Sequence, residues 1–378
     1  MKYKLTNICE YVKGKIDVAS LSNKTYISTE NMLPNKGGIT IASSLPIIAQ
    51  TQSFKAGDTL VSNIRPYFKK VWFAKFDGGC SNDVLVFRAK HGVSRRFLYY
   101  VLSDDTFFDY SMATSKGTKM PRGDKVAIMQ YGVPQFSYEV QEKIAGILDA
   151  IDNRIQLNIK INENLFQQLF ALYDYYYDSA DDGEVELGAL CQFQEGYVNP
   201  AQTRPEYFDG DVKWLRAVDI NESFIIETSR TLTQAGFQSA KKSAYLFPPN
   251  TIAISKSGTI GRLGIVADYM CGNRAVINIA PKDPLLLPYI FAYLKSHQKE
   301  FPDLAVGSVQ KNLYVSLLEP LPVKVLAPDA LSVFCNAGNA ILSNVGNNCR
   351  ENLRLAQLRD MLLPRLMSGE LDVSELDP

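Results

Sequence analysis

The chain is written twice, and this constrains its fold more than any other feature. LTNICEYVKGKI, from Leu5, is similar to LGALCQFQEGYV, from Leu187, with Leu5/Leu187, Cys9/Cys191 and Gly14/Gly196 coinciding. GDTLVSN, from Gly57, matches PNTIAIS, from Pro249. CSNDVLVF, from Cys80, matches CGNRAVIN, from Cys271, with Asn82 on Asn273, and Gly117–Thr118 matches Gly307–Ser308. The offset grows from 182 to 191, so the second copy carries extra residues early on. Single matches arise by chance, but an ordered series at a nearly constant offset marks a repeat, and each copy should then be one supersecondary assembly of the same design.

Each copy reads as β-rich at its centre and helical at its end. Thr59–Ile64, Val71–Ala74 and Val84–Phe87 are short β-branched or aromatic runs separated by Gly, Pro and Asn, and Thr251–Ser255, Gly264–Ala267 and Ala275–Ile279 repeat them. Helical signals follow at Arg96–Leu102 and Pro288–Leu294. After Pro134, Leu148, Ile151, Ile155, Asn158, Asn162, Leu165, Leu169, Leu172 and Tyr176 recur at spacings of four and three, a heptad seam closed by DSADDG at Asp178–Gly183. At an offset of 190, Ile341, Val345, Asn348, Asn352, Leu355 and Leu362 repeat the seam, while Gly338 and Arg359 stand where the first copy has Leu148 and Leu169, which predicts a weaker second helix. Asn occupies the same two seam positions in both copies; a buried Asn costs stability but can fix register.

These signals predict an α/β (α+β) fold. Two tandem β-rich domains, residues 1–137 and 183–328, are joined by helical regions, 138–182 and 329–378, that form an antiparallel coiled coil with pseudo-two-fold symmetry. A helix from Ser137 to Asp178 would span roughly 60 Å at about 1.5 Å per residue. Centring the pair near Lys160 and Arg350 sets Asn158 opposite Asn352 and Asn162 opposite Asn348, flanked by Ile155 with Leu355 and Leu165 with Val345.

Net charge is zero, which taken alone speaks against nucleic acid, but its distribution reverses that reading. Residues 1–137, 138–185, 186–328 and 329–378 carry +9, −7, +1 and −3. The first is basic enough to attract phosphate, and the acidic charge falls in the helical regions. Six cysteines form no CxxC or zinc spacing, and the paired Cys9/Cys191 and Cys80/Cys271 read as small buried hydrophobes rather than reactive thiols. His91 and His297 have no Cys/His neighbours in sequence, so no metal site is expected. With no apolar run of membrane length and no secretory h-region, the cytoplasm is the expected compartment and no membrane partner is expected.

Candidate contact residues lie at matching places in the two copies. Asn63, Arg65, Tyr67, Lys69 and Lys70 form a polar and basic cluster on a strand–turn–strand; it would hold phosphates and read base edges, or be a solvated loop face. Ser28, Thr29, Glu30 and Asn31 suit base or backbone contacts, or a helix N-cap. Ser115, Lys116, Gly117, Thr118 and Lys119 form a basic glycine loop whose N–H groups could grip phosphate, with Gly307, Ser308, Gln310, Lys311 and Asn312 as its counterpart. Arg216, Lys256, Ser257, Gly258 and Arg262 complete the second set. SGTIGRLG, Ser257–Gly264, lacks the GKS/T ending of a nucleotide-phosphate loop and reads as a tight turn between strands.

YISTENMLPNKGGI (Tyr26–Ile39), GDTLVSNIRPYFKKVWFA (Gly57–Ala74), VQEKIAGILDAIDNRI (Val140–Ile155), GSVQKNLYVSLLEPLPV (Gly307–Val323) and LLPRLMSGELDV (Leu362–Val373), in this order and duplicated, resemble the specificity subunits of Type I restriction-modification enzymes, the HsdS family. The distal helical segment, APDALSVFCNAGNAI, is a loose version of the family pattern. The resemblance implies a sequence-specific subunit that binds double-stranded DNA, catalyses nothing itself, holds no cofactor, and joins two methyltransferase subunits and, for cleavage, motor-nuclease subunits. Each recognition domain would read one half of a split asymmetric site, and the helices would act as spacer and docking surface. The complex would use S-adenosylmethionine, ATP and Mg²⁺. A related methyltransferase-only or Type II-like complex is the nearest alternative. A methyltransferase or nuclease acting alone is a more distant one. FPPN, Phe247–Asn250, has the wrong order for an adenine methyltransferase motif, and no carboxylate–lysine cluster suggests a nuclease. A scaffold binding only proteins would not need the basic first segment.

Overall fold

The computed structural model describes residues 3–178, 183–308 and 310–373. The chain separates into two compact units, residues 1–153 with 355–378, and residues 154–354. Each unit therefore combines one β-rich copy with part of each long helix. No helix among the described residues is long and apolar enough to cross a membrane.

Unit 1 is built on an antiparallel sheet of β1 (Cys9–Tyr11), β2 (Thr59–Ser62), β3 (Val71–Phe73) and β4 (Val84–Ala89), in the order β1-β4-β2-β3. Alternation splits its side chains between two cores. Val61, Leu85 and Phe87 pack with Phe97, Leu98 and Val101 of α1 (Arg95–Ser103) and with Phe107 and Phe108 of α2 (Asp105–Ala113). Leu60, Val84 and Val86 face Ile27, Phe54 and Trp72 on the other side. Ser94 and Asp104 cap the two helices, accepting from Phe97 N at 3.2 Å and Thr106 N at 2.9 Å. A helix, α3, runs over Tyr138–Asp178; of the DSADDG run expected to end it, residues 179–182 lie outside the described residues.

Unit 2 repeats the sheet with β5 (Cys191–Glu195), β6 (Thr251–Ser255), β7 (Leu263–Val266) and β8 (Val276–Pro281), ordered β5-β8-β6-β7, and adds Phe224–Ile225 in parallel beside β7. Cys9 pairs with Ala89, and Cys191 with Pro281, in each case the last residue of a six-residue strand. Cys9, Cys80, Cys191 and Cys271 are all buried, and burial pushes each thiol up to about 12. A helix, α4 (Leu287–Ser296), lies where α1 does in the first copy, and the last long helix, α5, covers Pro328–Ser368.

Two sequence matches need correcting. Matching CSNDVLVF with CGNRAVIN sets Val84 on Ala275 and Asn82 on Asn273, yet the strands Val84–Ala89 and Val276–Pro281 align end to end through Cys9 and Cys191, which puts Val84 on Val276. Pairing GDTLVSN with PNTIAIS sets Thr59 on Thr251, yet Ser62 pairs with Val84 as Ser255 pairs with Val276. The equivalent strands are therefore one residue further out of step. A one-residue slip flips every side chain, and burial agrees: Val61 and Ile254 face the helices, whereas Leu60 and Ala253 face away.

The long helices run antiparallel where they meet. In unit 2, Asn158 Nδ2 donates to Asn352 Oδ1 at 2.9 Å, and Asn348 Nδ2 donates to Asn162 Oδ1 at 2.8 Å. Leu165 packs on the same core as Val345. Arg154 and Asn158 also share Glu351, at 3.0 and 2.8 Å. Gly338 has a packing reason: a Cβ there would lie 2.5 Å from Pro288 of α4.

Candidate nucleic-acid interface

In unit 1 the candidate residues gather where β2 ends. After Ser62 the chain makes a tight turn, with Pro66–Phe68 between Arg65 (φ 49°) and Lys69 (φ 51°), both left-handed. A second turn touches it: Asn35 N donates to Phe68 O at 2.8 Å and Lys36 N to Lys69 O at 2.9 Å. Asn35 and Lys36 are also left-handed, at φ 53° and 60°. Each such non-glycine residue carries a backbone cost of roughly 1–3 kcal/mol, which the surrounding bonds must hold in place.

Charge on this surface is largely committed. Lys36 and Lys69 both reach Asp105, at 2.9 and 2.8 Å. Partial burial raises the Asp105 carboxyl, but the bonds from Lys69 and Lys36 outweigh it and leave it below its ordinary value. Lys70 donates to Thr29 O at 2.6 Å and lies over the Phe68 ring, and burial lowers its pKa. Lys69 and Lys70 thus hold the turns together. Arg65 differs: among the described residues its guanidinium has no hydrogen-bond or ion-pair partner, and its Nε is buried unsatisfied. Tyr67 is exposed beside it.

The glycine loop docks against the same strand end. Lys116 N donates to Arg122 O at 2.9 Å and Arg122 N to Lys116 O at 3.0 Å, closing residues 116–122 with Gly117 at φ 92°. Arg65 N donates to Pro121 O, and Gly123 N to Asn63 O, at 2.8 and 3.2 Å. The buried Asn63 Oδ1 has no partner of its own. Lys116 pairs with Asp124 at 2.6 Å, while Thr118 and Lys119 are exposed. The Asp124 carboxyl is held at about 2, by Lys116 first and then by the Ala127 and Val126 amides. Arg122, which sequence reasoning missed although it lies in this loop, pairs with Asp83 at 3.1 Å.

Ser28–Asn31 line an open cleft of about 430 Å³ next to these elements. The segment forms a turn and not a helix start: Asn31 Oδ1 accepts from Ser28 N at 2.6 Å, and its Nδ2 donates to Tyr26 O and Thr40 O. Asn31 is buried and fully used, whereas Ser28 and Thr29 reach the cleft.

Unit 2 builds the same loop from different side chains. Val306 N donates to Asn312 O at 3.0 Å and Asn312 N to Val306 O at 2.9 Å, with Gly307 at φ 140° and Ser308 and Gln310 exposed. Leu313 N donates to Lys256 O at 2.9 Å, so Lys256 stands where Asn63 stands in unit 1. Its ammonium is taken up internally, 2.9 Å from both Glu195 oxygens and over the Tyr314 ring. Lys311 reaches Pro302 O at 3.5 Å and Asn312 Nδ2 reaches Gln310 O at 3.1 Å. Ser257–Gly264 is a tight turn between β6 and β7: Ser255 N donates to Arg262 O and Arg262 N to Ser255 Oγ, with Gly258 at φ 77°. Among the described residues the Arg262 side chain has no partner. Arg216 leans over Trp214, bonds Ser229 and leaves its Nε unsatisfied. Asn273 N donates to Leu215 O and Lys256 N to Ala275 O, which brings Arg216 and Lys256 to opposite sides of residues 273–275. Exposed Arg274, also missed from sequence, sits between them.

Two copies of one α/β unit, each closing a glycine loop over the end of its second strand and each carrying part of two antiparallel helices, define a duplicated specificity-subunit architecture. The family model for the Type I restriction modification DNA specificity domain matches residues 1–167 and again 181–325, and the chain belongs to that family, as a specificity subunit of the Type I class. It is 24 % identical to the Type I restriction enzyme HindI specificity subunit of Haemophilus influenzae, over 98 % of this chain and 99 % of that protein. It is 25 % identical to the MjaIX specificity subunit of Methanocaldococcus jannaschii, over 76 % of this chain and 71 % of the relative. The fold is similar to the crystal structure of the Type I restriction-modification S subunit from M. genitalium, with a TM-score of 0.59 and 15 % identity over 97 % of this chain and 96 % of that one.

Proposed function

We propose that this chain reads a split, asymmetric site in double-stranded DNA, one half through each unit, as the non-catalytic subunit of a cytoplasmic complex. Two methyltransferase subunits would supply adenine methylation from S-adenosylmethionine, and motor-nuclease subunits would supply ATP- and Mg²⁺-dependent cleavage. The observation that carries this reading is the paired loop: residues 116–122 and 306–312 share their closing bonds, their place at a strand end and a Gly–Thr/Ser pair, but differ at every other position. One scaffold presenting two sets of side chains suits two different half-sequences, because phosphate contacts position a protein while base-edge contacts specify sequence. Arg65, Tyr67, Lys119, Arg262 and Arg274 are the side chains with reach and freedom to make those contacts.

The test is a DNA-shift titration with the complex assembled from this chain and its methyltransferase subunits, run at several salt concentrations. Specific, salt-sensitive binding that disappears when this chain is left out supports the reading. Methyl transfer by this chain alone would overturn its non-catalytic assignment.

A further inference from the structure

The loop Thr40–Ala49 belongs to none of the segments assigned above. Its ends are tied: Thr40 N donates to Asn31 O at 2.8 Å, Ala42 N to Asn23 O at 3.0 Å, and Val18 N to Ala49 O at 2.9 Å. Between these ties stand Ile47, 104 % exposed, and Ile48, 51 % exposed, with Ile41 at 63 % on the rising side. Isolated surface aliphatics need no explanation, but the adjacent Ile47 and Ile48, with Ile41 on the same loop, concentrate exposed apolar surface there. Pro46, just before the pair, restricts the backbone and stiffens the tip.

What this tip would meet follows from its neighbours. Thr40–Pro46 line the 430 Å³ cleft together with Ser28, Thr29, Glu30, Ser81 and Asp83. Thr29 O is held by Lys70, and Asp83 by Arg122 of the glycine loop. Pro46 joins the tip directly to this cleft, which Arg122 of the glycine loop borders through Asp83. Glu30 and Asp83 place carboxylates on the cleft, Asp83 paired with Arg122, but residues 31–57 carry Lys36 and Lys55 and no carboxylate, so the tip itself brings no negative charge to an approaching polyanion.

We propose that Ile47 and Ile48 form an apolar wedge that enters the groove of bound DNA and partly unstacks one base step in the half-site served by unit 1. This rests on the DNA-reading function proposed above. Apolar side chains inserted between base steps kink a duplex and admit more protein contact, and sequence enters through the ease with which a step unstacks.

The experiment uses the complex with its methyltransferase subunits and duplexes carrying 2-aminopurine at successive positions of the site. The unaltered complex should raise fluorescence at one step. The double variant Ile47→Ala with Ile48→Ala should abolish that rise and weaken binding about 10-fold, with the salt slope unchanged because no phosphate contact is lost. Both side chains are exposed, so its thermal unfolding should match that of the unaltered chain. Four results would overturn the wedge: no rise at any step while specific binding persists; a variant that keeps both rise and affinity; an affinity loss reproduced by replacing thymine with uracil, without any rise, which would make the isoleucines methyl readers; or a variant that no longer assembles, which would make the loop a protein contact. Absence of specific binding by the unaltered complex would instead overturn the reading on which the wedge rests.

Discussion

The two copies join their sheets to the long helices by different chemistry. In unit 1 Ile144, Leu148, Leu363 and Leu366 of the long helices share a core with the α1 side chains, and an ionic network is added beside it. Arg96 of α1 bonds Asp149 of α3; Tyr100 OH donates to Asp149 and Asp152 at 2.7 and 2.9 Å; and Arg359 of α5 reaches Asp152 at 3.0 Å. Burial and the neighbouring Asp152 raise the Tyr100 pKa, so the phenol stays a donor. In unit 2 the corresponding places are Pro288, Ala292, Asn339, Leu342 and Leu169, and the junction is hydrocarbon and aromatic. Tyr173, Tyr289 and Phe334 pack there with ring centroids 5.5–6.3 Å apart, and Leu169 is fully buried. The repeat thus conserves a place of contact, not its chemistry. Ionic contacts desolvate at a cost and demand geometry, whereas apolar contacts stabilise by area alone. Unit 1 thus adds an orienting network to its apolar contact, whereas unit 2 relies on apolar area.

Substitutions should separate the two. Leu169→Ala opens a cavity in the apolar junction and should cost about 2–5 kcal/mol by denaturant unfolding. Arg359→Met removes one member of a partly buried network whose remaining groups keep other partners, and should cost less, about 1–3 kcal/mol. A larger loss from Arg359→Met than from Leu169→Ala would invert the comparison.

The loops sharpen the same contrast. Arg65→Ala should reduce the slope of log affinity against log salt by about 1, the signature of one phosphate contact. Lys69→Ala and Lys70→Ala should act mainly through loop stability, because their ammonium groups are spent on Asp105 and Thr29. A full unit of slope lost with Lys69→Ala would return it to the contact surface. The Lys116–Asp124 clamp has no counterpart in unit 2, where Val306 and Tyr314 stand. Because the folded carboxyl is depressed to about 2, its contribution is present above about 4, the usual carboxylate value, and is lost as pH falls through about 2. Hydrogen exchange at the Arg122 amide should therefore gain an acid-induced opening that Asn312 lacks. The smallest effect concerns thiols: Cys9, Cys80, Cys191 and Cys271 should resist alkylation at pH 8 in the native protein, with half-buried Cys349 reacting first. Prompt labelling of Cys80 would contradict its core placement.

How much of this was legible in the sequence depended on the range of the signal. The helix seam was, since a four-and-three spacing over many turns has few alternatives, and the Asn158–Asn352 and Asn162–Asn348 bonds follow from antiparallel register about one centre. The glycine loops were located because Gly117 and Gly307 repeat. The strand slip was not, because Thr59 and Thr251 match in letters while pairing decides register. Nor was the commitment of Lys69, Lys70 and Lys256: a sequence counts charges, but partners distant in the chain, Asp105, Thr29 and Glu195, decide which are free. Arg359 was read as a weak point of the second helix. Asp152, 207 residues earlier, makes it part of a network instead.

In the proposed function two linked units would read two separate half-sequences, with the helices setting the gap. Mapping methylated adenines across the genome of cells carrying this chain, lacking it, or carrying it with four residues inserted near Asn158 tests that directly. A split site should vanish without the chain, and the insertion should keep both half-sequences and change only the gap between them. An unsplit site, or an unchanged gap with activity intact, would contradict the proposed function.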